Sequence, residues 1–124
     1  MKLPELKIGM SGIVQKVITR EDAALNYGSG SLDNLLATPV LVALMIESAV
    51  KAVDPILPEG CITIGKSIEV EHSNPTMVGM TVTVQAKLVE FNGTRLLFEI
   101  RAYDEVGEIG KGCHERYIVN HSRL

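Results

Sequence analysis

Three side chains, two of them at the boundaries of elements, are the ones whose type and position suit them to chemistry. His72 closes the alternating run Ile62-Thr63-Ile64-Gly65-Lys66-Ser67-Ile68-Glu69-Val70-Glu71-His72, in which the even positions are largely apolar. That parity puts its imidazole on the core-facing side of a strand, beside the Ser73-Asn74-Pro75 turn. A histidine with a pKa near neutrality can take up and return a proton, so His72 is a candidate general base. Thr38 precedes Pro39 and the uninterrupted apolar run Val40 to Ile46. Proline has no N–H to lose in the first helical turn, so this spacing predicts a helix from Pro39 with Thr38 as its N-cap. The hydroxyl then lies at the positive end of the helix dipole. A threonine cap alone contributes about 1 kcal/mol, and one side chain can serve both roles. Glu47 is the third candidate; it stands four residues before Lys51, in the favourable order for a helical ion pair.

Other chemistries are excluded by what the chain lacks. His114-Glu115-Arg116 resembles the start of a zinc motif, but the residue four on from His114 is Ile118, so the pattern fails. Arg116 can instead pair with a carboxylate or meet a ligand phosphate through its bidentate fork. Cys61 and Cys113 lack metal-ligand spacing and read as reduced thiols of a cytoplasmic protein, with no leader before Lys2-Leu3-Pro4. No metal and no cofactor are expected. Basic residues number 12 against 15 acidic, without a cluster, and aromatics are 4%, so nucleic acid is not an expected partner. The apolar run is too short to span a membrane.

The elements that must hold these residues follow from period and punctuation. Residues 10–19 read as a strand, Thr19 to Asp22 as a weak capping box opening a short helix to about Leu25, and 26–31 as a glycine-rich loop. The long helix ends near Val53, before Asp54-Pro55. At about 100° per residue, Glu47, Lys51 and Asp54 form one narrow polar stripe opposite Thr38, and the rest of the circumference is expected to be buried. Strands follow at 62–72, 80–88, 96–102 and 109–119; Asn92-Gly93 is a hairpin turn, and Gly110 and Gly112 signal a bulge or a close backbone approach. With 124 residues and 46% hydrophobic content, this is one α+β domain over residues 1–124, an antiparallel sheet wrapped around one long apolar helix, the hot-dog arrangement. Open sheet edges in such a meander are expected to pair in a homodimer.

Four stretches carry a family resemblance: Leu36 to Met45, Gly65 with His72 seven residues on, Val78 to Val84, and Gly112-Cys113-His114-Glu115-Arg116. In this order and spacing the chain resembles the fluoroacetyl-CoA thioesterase-like family of hot-dog proteins over about residues 10–120. The resemblance implies an acyl-CoA thioesterase, with Thr38 and His72 catalytic and Gly65 helping to bind the thioester carbonyl. It also implies a glutamate eight residues after the threonine, where this chain has Ile46; Glu47 is adjacent but about 100° round the helix. The alternative is therefore a protein that binds acyl-CoA or an acyl carrier without turnover. Fluoroacyl selectivity in the family involves aromatic residues just before the threonine. Leu32-Asp33-Asn34-Leu35-Leu36 has none, so no fluoroacetyl specialisation is expected. A hot-dog hydratase wants an Asp/His pair on a loop, which is missing near His72.

Overall fold

Helix α1, Thr38–Val53, is packed by an antiparallel sheet whose strands are β1 Ser11–Val17, β2 Cys61–His72, β3 Thr81–Asn92, β4 Arg95–Tyr103 and β5 Glu108–Asn120. The structure is a computed structural model that describes residues 6–124, so the Lys2-Leu3-Pro4 segment lies outside the described residues. Single 3₁₀ turns at Arg20–Asp22 and Ala24–Tyr27 replace the expected short helix. The Asp22 carboxylate accepts the Thr19 N–H at 2.9 Å, the box the spacing implied.

Apolar periodicity explains the packing. Leu41, Met45, Ala49 and Val53 are one buried row of α1, and Val82, Val84, Ala86, Leu88, Leu96, Phe98 and Ile100 are the inner faces of β3 and β4. The helix rests mainly on β1 and β3. Gly12 makes that contact close: a Cβ there would collide with the Ser48 carbonyl and lie 2.6 Å from the Ala52 nitrogen.

Four expectations are corrected. The strands are not a sequential meander. The order is β1-β3-β4-β5-β2, which sends β2 across to pair with β5 and leaves β1 and β2 as the two edges. The even parity of β2 holds only after Gly65, because the register shifts between Gly65 and Ser67. One extra residue swaps the faces, so Cys61 and Thr63 are buried before the shift while Ile64 is 39% exposed. The hairpin loop is Gly93-Thr94, since Asn92 pairs with Arg95, and only Gly93 has positive φ (64°), the II′ pattern. Finally, α1 has a wider open face than its composition implied. Pro39, Ala43, Glu47 and Lys51 are exposed, Val42, Ile46 and Val50 are half-buried, and Asp54 leaves the stripe to bind Thr63.

Candidate active site

The start of α1 is clamped from two sides. Leu36 N–H donates to the Thr76 carbonyl and Ala37 N–H to the Asp22 carbonyl, each at 2.8 Å. Asp22 is buried, which pushes its pKa up, but the Thr19 backbone and Lys16 outweigh that and hold it below its usual value. The N-cap is Ala37, not Thr38, and among the described residues no side chain caps the helix. This correction matters chemically, because the Thr38 hydroxyl is released from the backbone. Its Oγ1 lies 2.7 Å from Nδ1 of His72, 34 residues away. Thr38 N–H has no hydrogen-bond partner among the described residues, and Pro39 has no N–H to offer.

His72 is set by the end of β2. It pairs with Gly110 of β5, and the chain is then turned by Ser73 N–H and Asn74 N–H donating to the Ile109 carbonyl at 2.9 and 3.2 Å. Gly110 brings the helix to the histidine. A Cβ there would lie 2.6 Å from the Glu71 carbonyl oxygen and 3.2 Å from the Leu41 side chain. The close approach that its sequence position signalled is thus part of what brings Thr38 to His72. Burial lowers the His72 pKa, and the nearby Asn74 backbone only partly offsets this. Its Nε2 is buried and finds no hydrogen-bond partner among the described residues. A buried polar atom left alone costs about 1–3 kcal/mol, a cost tolerated most often at functional sites.

Thr38 and His72 open onto a cavity of about 280 Å³, walled by Leu32, Leu35, Leu36, Pro39 and Pro75. The pair can do acyl-transfer chemistry: a hydroxyl, a base in contact with it, and an unused N–H at a helix start. A larger groove of about 490 Å³ on another face of the sheet, with Glu69, Glu99, Lys111 and Cys113, holds no such pair.

The remaining candidates stand apart from this pair within one chain. Gly65 lies seven residues back along β2, roughly 20 Å at the rise of a strand. Ile46 is eight residues up the helix, about 12 Å away. Glu47 is exposed and makes no ion pair with Lys51. Arg116 faces Gly65 across β2 and β5 and is only 6% exposed. Its Nε and Nη2 donate to the hydroxyl and carbonyl of Thr63, each at 2.8 Å, and Nη1 lies 3.2 Å from His114 Nε2. His114 Nδ1 is 2.8 Å from the Ser67 carbonyl. Asp54 completes the group by accepting the Thr63 hydroxyl at 2.6 Å and the Thr63 N–H at 3.1 Å. Sequence reasoning missed Asp54, Thr63 and His114. His114 stood in a stretch already singled out, but the threonine on the odd parity of β2 is legible only once the bulge is known.

Among the described residues no group of three or more His, Cys, Asp or Glu is placed to hold a metal ion, and no helix is long and apolar enough to cross a membrane.

Comparison with known proteins bears on the family and the fold. The family model described as fluoroacetyl-CoA-specific thioesterase matches residues 18–122. A fluoroacetyl-CoA thioesterase of Streptantibioticus cattleyicolor is 41% identical over 86 residues, which are 69% of this chain and 62% of that protein's length. A solved hot-dog-like protein from Thermanaerovibrio acidaminovorans superposes with a TM-score of 0.87 at 27% identity, covering 94% of this chain and 86% of its own. A Thermus thermophilus member of the thioesterase superfamily superposes with a TM-score of 0.89 at 28% identity, covering 96% and 88%. A mutant fluoroacetyl-CoA thioesterase solved with acetyl-CoA superposes at 0.87 with 30% identity, covering 95% and 92%. The hot-dog fold is therefore established.

Proposed function

The chain belongs to the fluoroacetyl-CoA-specific thioesterase family, and from that premise we propose that it hydrolyses the thioester of an acyl-CoA. The observation that carries the reading is the 2.7 Å contact between Thr38 Oγ1 and His72 Nδ1 at the edge of that cavity. Thr38 Oγ1 attacks the thioester carbon as its proton passes to His72 Nδ1. The C–S bond then breaks, and the imidazole returns that proton to the leaving CoA sulfur. Water attacks the threonine ester next and gives one proton to Nδ1, which reprotonates Thr38 as the carboxylic acid leaves. The Thr38 N–H at the positive end of α1 suits the developing oxyanion.

A homodimer completes the site in this reading. β2 is a 12-residue edge strand, long enough to pair with a second copy of itself. A twofold axis between Ile68 and Glu69 sets His72 opposite Gly65 of the second copy. That pairing explains how Gly65, with Arg116 beneath it, serves a histidine roughly 20 Å away in its own chain. Glu47 enters only in the same way: on the exposed face of α1, it reaches a site from the partner or not at all. The reaction needs no metal and no cofactor, and the exposed Cys113 thiol suits the reducing cytoplasm.

Release of CoA from acetyl-, butyryl- and hexanoyl-CoA tests the activity. Hydrolysis of at least one ester, lost in His72→Ala, is the expected result. Calorimetric binding of the esters without release would replace hydrolysis with the binding-only reading that Ile46 raises.

A further inference from the structure

Arg116 is buried, yet no carboxylate of the described residues touches its guanidinium. A buried guanidinium without a counter-charge is costly, and the nearest one stands a residue away, at Asp54. Thr63 lies between the two, and the protons around it have one consistent assignment. Arginine can only donate, so Thr63 Oγ1 accepts from Arg116 Nε, and its own proton goes to Asp54 Oδ1 at 2.6 Å. His114 Nδ1–H donates to the Ser67 carbonyl, so the Nε2 lone pair accepts from Arg116 Nη1. Of the five guanidinium N–H groups, one on each Nη is left over among the described residues.

The leftover donors have an opening. Gly65 is exposed, and a Cβ there would lie 3.3 Å from Arg116 Nη1 and 3.3 Å from His114 Cε1. Its φ is not in the left-handed region, so space rather than backbone conformation explains the glycine. Any longer side chain would lie over the guanidinium. A carboxylate bound directly to Arg116 would occupy its fork. A carboxylate acting through Thr63 supplies the charge and leaves the Nη edge unfilled.

We propose that Asp54, acting through Thr63, is a positioning residue that holds the Arg116 guanidinium with two N–H donors open beneath Gly65, for an acceptor oxygen of the acyl-CoA. The proposal rests on the acyl-CoA reading for the identity of that oxygen, which is either the thioester carbonyl or a phosphate. Both oxygens of Asp54 are committed to Thr63, and Asp54 N–H donates to the Val50 carbonyl, so the carboxylate is fixed to the end of α1. Burial depresses the Arg116 pKa and the Asp54 charge raises it, in keeping with a cation balanced at one remove.

The test compares wild type, Thr63→Val, Thr63→Ser, Asp54→Asn, Arg116→Lys and the double variant Thr63→Val/Arg116→Lys. Two readouts are used: kcat/KM on acetyl-CoA, and the slowly exchanging Arg Nε–H signal in a ¹⁵N-resolved NMR spectrum. Thr63→Val is expected to lower kcat/KM about tenfold or more and to erase the Nε–H signal, while Thr63→Ser keeps the signal and stays within about threefold of wild type. The double variant should be no worse than Arg116→Lys alone, because both changes disable one unit. Losses that multiply, or a Thr63→Val protein with full activity and an intact signal, overturn the proposal. Asp54→Asn, nearly isosteric, carries the same expectation if Thr63→Val does not fold. A wild type that hydrolyses no acyl-CoA would refute the thioesterase reading, and the Nε–H signal would still decide the positioning role. An acetyl-pantetheine arm separates the oxygens: the Thr63→Val loss persists for the carbonyl and vanishes for a phosphate.

Discussion

Replacing His72 with alanine should slow hydrolysis by about 10²–10⁴-fold and remove the acid limb from the pH dependence of the residual rate. An ordinary imidazole with a pKa of about 6.5 is roughly three-quarters neutral at pH 7. Burial moves His72 below that value, so its base form dominates at pH 7 and the rate should plateau there, falling only below about pH 6.5. A positioned general base contributes about 10²–10⁴-fold. At about 1.36 kcal/mol per decade, that is roughly 3–5 kcal/mol of barrier. Stability should move differently. His72→Leu deletes a buried nitrogen that has no partner, a gain of about 1–3 kcal/mol, and loses one hydrogen bond to Thr38, a cost of about 0.5–1.5 kcal/mol. The substitution is thus neutral to stabilising while activity is lost, the opposite of what a purely structural histidine would show. The assay is chromatographic CoA release from pH 5 to 9, beside thermal unfolding of the same proteins. A loss under tenfold, or an unchanged acid limb in the alanine variant, would refute the assignment.

Folding stability should fall as pH drops from about 7 to 5, because burial lowers the pKa of both His72 and His114. Well above the ordinary pKa of about 6.5 both are neutral folded and unfolded; as pH falls through it the unfolded chain binds protons first, so Tm declines toward the folded pKa values. A Tm that is flat or rises toward pH 5 would contradict this. Gly12→Ala should cost about 2 kcal/mol or more in urea unfolding, since its Cβ would meet helix backbone at Ser48 and Ala52, which cannot rotate away. A loss under about 0.5 kcal/mol would show that α1 shifts freely on β1. Fluoroacetyl-CoA and acetyl-CoA should be cleaved with kcat/KM values within about tenfold of each other, an energy difference of about 1.4 kcal/mol, because the cavity wall at Leu32, Leu35 and Leu36 carries no aromatic ring. A far larger preference for the fluorinated ester would overturn this expectation.

Much of the architecture was legible because its causes are local. Pro39 cannot sit inside a helix, and the apolar run after it must be buried, so α1 was readable to within a residue at its start. Strand positions followed from alternation. The face of β2 was not readable before Ser67. A bulge is set by hydrogen bonds to β5, and one unpaired residue reverses every side chain beyond it. The sheet order was hidden for the same reason, since the pairing of β2 with β5 joins residues 61–72 to residues 110–120.

The candidate site divides along the same line. The sequence by itself determined that a threonine stands at the head of an apolar helix, that a histidine closes a strand, and that Ile46 stands eight residues after the threonine. Only the tertiary structure decided what the threonine hydroxyl does. As a cap it would have spent its oxygen on the backbone; with Ala37 in that place, it faces His72 at 2.7 Å. The structure likewise put Asp54, Thr63 and Arg116 in one group, although helical phase alone had sent Asp54 to solvent. A hydrogen bond between residues 34 apart depends on where the whole sheet carries a strand end, which no local pattern encodes.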